Sequence, residues 1–157
     1  MANGIVLKGD WRKARTMFGK MTEANKILAD EILNEIAFEV KDKLTEVLDS
    51  SPSPANTAST EKRKGFNDPL YWKGELQEDD SVIVERKWED NRHRYTIKGN
   101  PDKTDERTGS SMEDIITIAE EGGAGVPPRN VLSITYSEMA HKIKSLCIKR
   151  LNEELFR

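Results

Sequence analysis

The sequence predicts an α+β fold in which a long N-terminal helix and a C-terminal helix pack on a small antiparallel sheet, with long mobile loops. Three observations carry the prediction. Apolar residues recur at three- and four-residue steps over residues 22–49 and again from residue 131 to the end. Between these stretches, residues 81–98 alternate apolar and polar around a two-residue break. The remaining segments are polar and rich in Ser, Pro, Gly and Asp, the composition of loops. At 157 residues the chain fits one domain with a real core. With 36% hydrophobic and 34% charged residues, that core is modest and the surface large. Such a chain carries sizeable flexible segments or completes its core against copies of itself. The expected organisation is an N-terminal arm over residues 1–20 and a single domain over 21–157, with loops at about 50–65 and 99–110.

In the arm, Ile5, Val6 and Leu7 suggest one short extended segment, followed by the positive charges of Lys8, Arg12, Lys13, Arg15 and Lys20. It reads as a solvated lead-in, or as an arm that docks on a neighbour with Trp11 or Phe18 as anchor. The first helix follows from a stripe of Leu28, Ile32, Ile36, Val40, Leu44 and Val47, widened by Leu33, Ala37 and Leu48. Residues 50–64 have no aliphatic side chain larger than Ala and cannot add to a core, so they form a loop. The densest aromatic stretch comes next. Phe66, Leu70, Tyr71, Trp72, Gly74 and Leu76, together with Trp11, are candidate interface residues, with capping of the core from outside as the alternative.

For residues 81–98 a hairpin turning at Asp90-Asn91 sets Val84 opposite Ile97, Arg86 opposite Tyr95 and Trp88 opposite His93. In that register one face is largely apolar, while Glu85, Lys87, Arg94 and Thr96 face away. Ser110 and Ser111 ahead of Glu113 and Asp114 make a capping-box pattern, so residues 112–121 are expected to be a short helix closed by Gly122. Ile115, Ile116 and Ile118 leave a strand as the alternative there.

The chain then passes through Gly122, Gly123, Gly125, Pro127, Pro128 and Arg129. It goes from loosest to stiffest within a few residues, because glycine frees the backbone and proline fixes it. These six residues are the candidate structural joint that aims the terminal helix against the rest. Arg129 is expected to make a structural ion pair or to donate to loop carbonyls. The helix beyond carries Val131, Ile134, Met139, Ile143, Leu146, Arg150, Leu151 and Leu155.

No motif names an enzyme. His93 and His141 are far apart, Cys147 stands alone, and there is no phosphate-cradling loop, nucleophile elbow or Cys-x-x-Cys pair. Catalysis, a cofactor and a metal are therefore not expected. A hydrolase built on carboxylates such as Glu75, Asp79 or Glu120 is a distant third reading. One cysteine excludes a disulfide scaffold and fits a reducing compartment. A net charge of −3 argues against a dedicated nucleic-acid binder. No apolar run is long enough to cross a membrane, and the N-terminus does not read as a signal peptide, so a soluble protein made inside a cell is expected.

Two ordered segments carry a resemblance. Pro69-Leu70, then Gly74-Glu75-Leu76 and Ser81-Val82, is similar to the "pL … tGeLr.Si" run of the virion-morphogenesis and tail-component families of tailed bacteriophages. Glu121-Gly122, then Val126-Pro127-Pro128-Arg129-Asn130-Val131-Leu132, resembles the "fG … iPaRpFL" run of the same families. The match in order spans roughly residues 20–155. Departures are Lys73 in place of a small hydroxyl residue, Pro128 in place of a small residue and Asn130-Val131 in place of Pro-Phe. The resemblance implies a structural protein forming a hexameric or dodecameric ring at the head–tail junction, as a neck, tail-completion or tail-terminator component. The implied partners are further copies of the chain and phage connector, neck, tail-tube or sheath proteins. DNA would pass through the lumen without specific binding, and no membrane is involved. The implied location is the virion, with the host cytoplasm during assembly. The alternative is a small nucleic-acid-binding module using Lys62, Arg63 and Lys64 with a basic hairpin tip of Arg86, Lys87, Arg92, His93 and Arg94.

Overall fold

A computed structural model describes residues 4–8, 23–50, 62, 80–89, 92–105, 108–123 and 125–155. The elements are β1 (Ile5–Lys8), α1 (Glu23–Asp49), β2 (Val82–Glu89), β3 (Arg92–Gly99), α2 (Met112–Glu121) and α3 (Val131–Leu155). Among the described residues, three helices and a three-stranded antiparallel sheet of order β1-β3-β2 make an α+β fold, as the periodicities require.

The hairpin register follows from the alternation. Val84 pairs with Ile97, Arg86 with Tyr95 and Trp88 with His93, and the ladder runs on to Glu89 opposite Arg92. Asp90 and Asn91, the expected turn, lie outside the described residues. Directly paired residues share a face, so Val82, Val84, Tyr95 and Ile97 point to one side. The short extended segment near the N-terminus is the third strand: Ile5 pairs with Ile97 and Leu7 with Tyr95. Ile5 is buried on the same side of the sheet. That pairing is new relative to the sequence, where residues 5–7 showed only a tendency to be extended. Trp88 departs from the apolar face expected of it. It lies near the turn end of the hairpin, 62% exposed, with its ring edge-on to His93 at a centroid distance of 4.5 Å.

α1 supplies most of the core. Ile32, Ile36, Ala37, Val40, Leu44 and Leu48 are nearly or fully buried and join Tyr95, Ile97, Met112 and Ile116 in one cluster. Tyr95 enters that cluster because its hydroxyl has a partner, donating to Asp30 Oδ1 at 2.8 Å. α3 runs antiparallel to α1. Ion pairs show the direction: Lys43 meets Glu138 at 2.7 Å, Glu39 meets Lys142 at 3.0 Å, and Glu35 takes both Nε and one terminal nitrogen of Arg150. Exposed pairs like these stabilise by no more than about 1 kcal/mol each, so they set register more than strength.

The stripe of α3 differs from the expected one near its start. Val131, Leu132, Thr135 and Met139 are buried, and Ile134 is only half-buried. Thr135 goes inside because its hydroxyl donates to the Val131 carbonyl at 2.8 Å and needs nothing else. Past Met139 the helix meets the core through Ile143, Leu146, Cys147 and Leu151, all half-buried.

Helix α2 begins and ends where the cap residues place it. Ser111 Oγ accepts from the Asp114 amide at 3.1 Å, and Gly122, at φ +78°, donates to the Ile118 carbonyl at 2.8 Å. The return leg of the capping box is altered, since the Asp114 carboxylate takes the Ser111 hydroxyl at 2.8 Å. Within the polar loop before it, Asp105 bonds Ser110, Gly109 and Thr108 through its amide, carbonyl and carboxylate, and Met112 donates to Lys103. The expected loop at 50–65 lies outside the described residues except for Ser50 and Lys62.

α2 rests directly on the sheet at Gly99. A Cβ there would stand 2.3 Å from the Met112 carbonyl oxygen and 2.6 Å from the Glu113 Cα, both backbone atoms of the first turn. Gly99→Ala is therefore expected to lower stability by about 1–3 kcal/mol, measured by urea denaturation with far-ultraviolet circular dichroism. An unchanged midpoint would show that α2 can lift off the sheet freely.

Candidate functional site

The turn between α2 and α3 brings together all six joint residues. After Gly122 the chain closes a tight turn in which the Gly123 and Val126 amides each donate to the other's carbonyl, at 2.9 and 2.8 Å. Gly123 and Gly125 have φ of +144° and +79°, backbone that L side chains rarely adopt. Pro127 and Pro128 then carry the chain back toward α2, where the Arg129 amide donates to the Ala119 carbonyl at 2.7 Å. That bond occupies one of the carbonyls a helix end leaves over. Asn130 has φ +52°, the only positive value at a non-glycine among the described residues, and Asn is one of the few side chains that tolerate it.

Sequence reasoning left Glu120 without a structural role. Its carboxylate accepts from the Leu132 amide at 2.7 Å and from the Ser133 hydroxyl, with the Ser133 amide at 3.4 Å. A carboxylate from the last turn of α2 thus caps the first turn of α3, where unpaired amides and the helix dipole favour negative charge. No spacing rule links residue 120 to residues 132–133, because the contact exists only once the intervening turn has folded.

Beside the joint lies an open groove of about 830 Å³. Ile5, Val6, Pro128, Leu132 and Tyr136 form its apolar walls. Tyr136 is 64% exposed. Glu120 and Glu121 line it as well, and the Glu120 carboxylate is committed to the first turn of α3.

Arg129 corrects an expectation. Its side chain makes no ion pair and no hydrogen bond to a loop carbonyl among the described residues, although the residue is only 4% exposed and its Nε is fully enclosed. Burial alone pulls the guanidinium pKa down from its ordinary value.

At the far end of the sheet, three basic residues of the hairpin tip are matched by acids, while the Arg92 side chain lies outside what is described. Arg86 reaches Asp30 at 2.6 Å, Lys87 reaches Glu85 at 3.0 Å, and Arg94 reaches Glu89 at 3.0 Å. Arg86 also donates from Nε to His93 Nδ1 at 3.1 Å, so His93 is held between Arg86, Trp88 and Asp30. Cations already paired within the chain have less to offer phosphate groups. Cys147 is half-buried, and burial pushes its thiol pKa up, away from a nucleophilic thiolate. Among the described residues no cluster of His, Cys, Asp and Glu is arranged to hold a metal, and no helix is long and apolar enough to cross a membrane.

The candidate interface residues Trp11, Phe66, Leu70, Tyr71, Trp72, Gly74 and Leu76 lie outside the described residues, as do Arg63 and Lys64. Comparison with protein-family models, with curated proteins and with solved structures finds no match for the chain.

Two outcomes are expected of this geometry. A Cβ at Gly122 would meet the Val126 carbonyl oxygen at 2.9 Å and Pro128 at 3.0 Å, whereas at Gly125 it would meet nothing within 4 Å. Gly125→Ala should therefore cost about 1 kcal/mol from backbone strain alone, and Gly122→Ala clearly more, in parallel denaturation curves. Equal costs would mean that the turn does not hold its shape. Burial, and then the hydrogen bond and charge of Asp30, push the Tyr95 hydroxyl pKa up from 10.0 to about 12. Folding therefore favours the protonated phenol, a contribution present below pH 10 and lost as the pH rises toward 12. The stability difference between wild type and Tyr95→Phe should shrink over that interval, and a constant difference would refute the coupling.

Proposed function

We propose that this chain is a structural component of a tailed-phage virion that forms a ring at the head–tail junction and works by contact with its own copies and with adjacent neck or tail proteins. The observation that carries the reading is the joint. The Gly-rich and Pro-Pro-Arg run on which the phage resemblance rests is, in the fold, the segment that fixes the direction of the terminal helix. A ring component needs that kind of rigidity, because small errors in the angle between its surfaces accumulate around the circle. Head-to-tail rings also need two different surfaces on each copy. Exposed apolar side chains on the two long helices are the candidates: Ile27 and Phe38 on α1, 58% and 48% exposed, and Tyr136 and Ile148 on α3, 64% and 51% exposed. The half-covered second part of α3 has apolar area left to bury.

Native mass spectrometry of the purified chain over a concentration series, with and without short duplex DNA at low salt, tests the reading. Closed rings of a single size that take up no DNA are expected. A chain that stays monomeric at every concentration and never associates with head or tail fractions would end the proposal. Uptake of DNA that falls steeply with salt would replace it with a nucleic-acid-binding module.

A further inference from the structure

Among the described residues Arg129 is the one basic side chain that the fold buries, and it has no counter-charge. Far more exposed cations of the same chain do find carboxylates: Arg150 takes Glu35 with two nitrogens, and Arg86 takes Asp30 at 2.6 Å. A guanidinium cannot escape by losing its proton at any ordinary pH. An enclosed cation without a partner works against the folded state, and removing water from around it is the costly part.

We propose that Arg129 is the receptor for a carboxylate of a second copy of this chain, engaged when copies associate. The inference rests on the ring reading above and adds to it the group through which copies recognise the joint. The planar fork of donors on a guanidinium matches the two oxygens of a carboxylate, and such paired bonds are among the strongest polar contacts proteins make. The chain has 28 acidic against 25 Lys and Arg residues, so each copy has carboxylates beyond what its own cations can take. Position favours approach from outside, since Pro127, Pro128 and Asn130 on either side of Arg129 are exposed. The turn just before it is closed by a single reciprocal pair of hydrogen bonds, between Gly123 and Val126. Once a carboxylate enters, the same burial that penalises the free chain strengthens the pair, because little water competes for it.

The test uses the full chain as wild type, Arg129→Met and Arg129→Lys, with circular dichroism to establish that each has its helices. Thermal melts are recorded at a dilution where all three are monomeric, and the concentration for half-assembly is measured by native mass spectrometry. Arg129→Met is expected to melt higher than wild type and to need at least about tenfold more protein to assemble. Arg129→Lys, which keeps the charge but loses the fork, should also assemble less readily than wild type. If Arg129→Met melts at or below wild type, the guanidinium is already satisfied in the single chain and the inference fails. A wild type that assembles beside equally competent variants removes this inference and leaves the ring reading standing. A wild type that never assembles removes both. Should Arg129→Met lack its helices, unchanged assembly of Arg129→Lys is sufficient to overturn the proposal.

Discussion

Two helices that diverge at a glycine are tied together by groups that belong to the last turn of one and the first turn of the other. The Ala119 carbonyl receives the Arg129 amide, and the Glu120 carboxylate receives the first free amides of α3. The rest of the architecture follows from that double tie. It sets the line along which α3 leaves, and only along that line do Glu138, Lys142 and Arg150 fall opposite Lys43, Glu39 and Glu35 on α1. α1 in turn holds the sheet through Asp30 and Tyr95. A displacement at the turn would therefore be felt as a loss of register along the whole pair of long helices, while a displacement at the hairpin tip would stay local.

Much of this was legible because it is local. The apolar stripe of α1, bounded by turn chemistry, gave a helix whose observed span is Glu23–Asp49. The Ser-x-x-Asp cap and the closing glycine placed α2 at Met112–Glu121 although three isoleucines pulled toward a strand. Capping won because it satisfies backbone groups that a strand of that length, with no neighbour in sequence, would leave open. The hairpin register was readable because a two-residue turn fixes every pairing that follows it.

What was not legible depends on contacts between segments distant in sequence. Thr135 is not part of the apolar stripe in the sequence, and it is buried because the helix itself satisfies its hydroxyl. Trp88 has the right parity for the core, but it lies near the turn, two residues beyond Arg86, which α1 holds through Asp30, and is left exposed. Glu120 belonged to an unremarkable acidic pair until the turn folded. Arg129 was expected to make an ion pair or to donate to loop carbonyls, and the fold buries its side chain with neither among the described residues.

The sheet has a consequence for the order in which the chain can fold. β2 and β3 are joined by two residues, so their ladder closes with little loss of chain freedom, whereas β1 must bring Ile5 back to Ile97. The entropy of closing such a loop must be met before any of its contacts form, and β1 offers only four residues in return. Of the three strands, β1 is thus the last to find its place. Until the hairpin and α1 have assembled the surface that Ile5 covers, the N-terminal segment has nothing in its own chain to pair with.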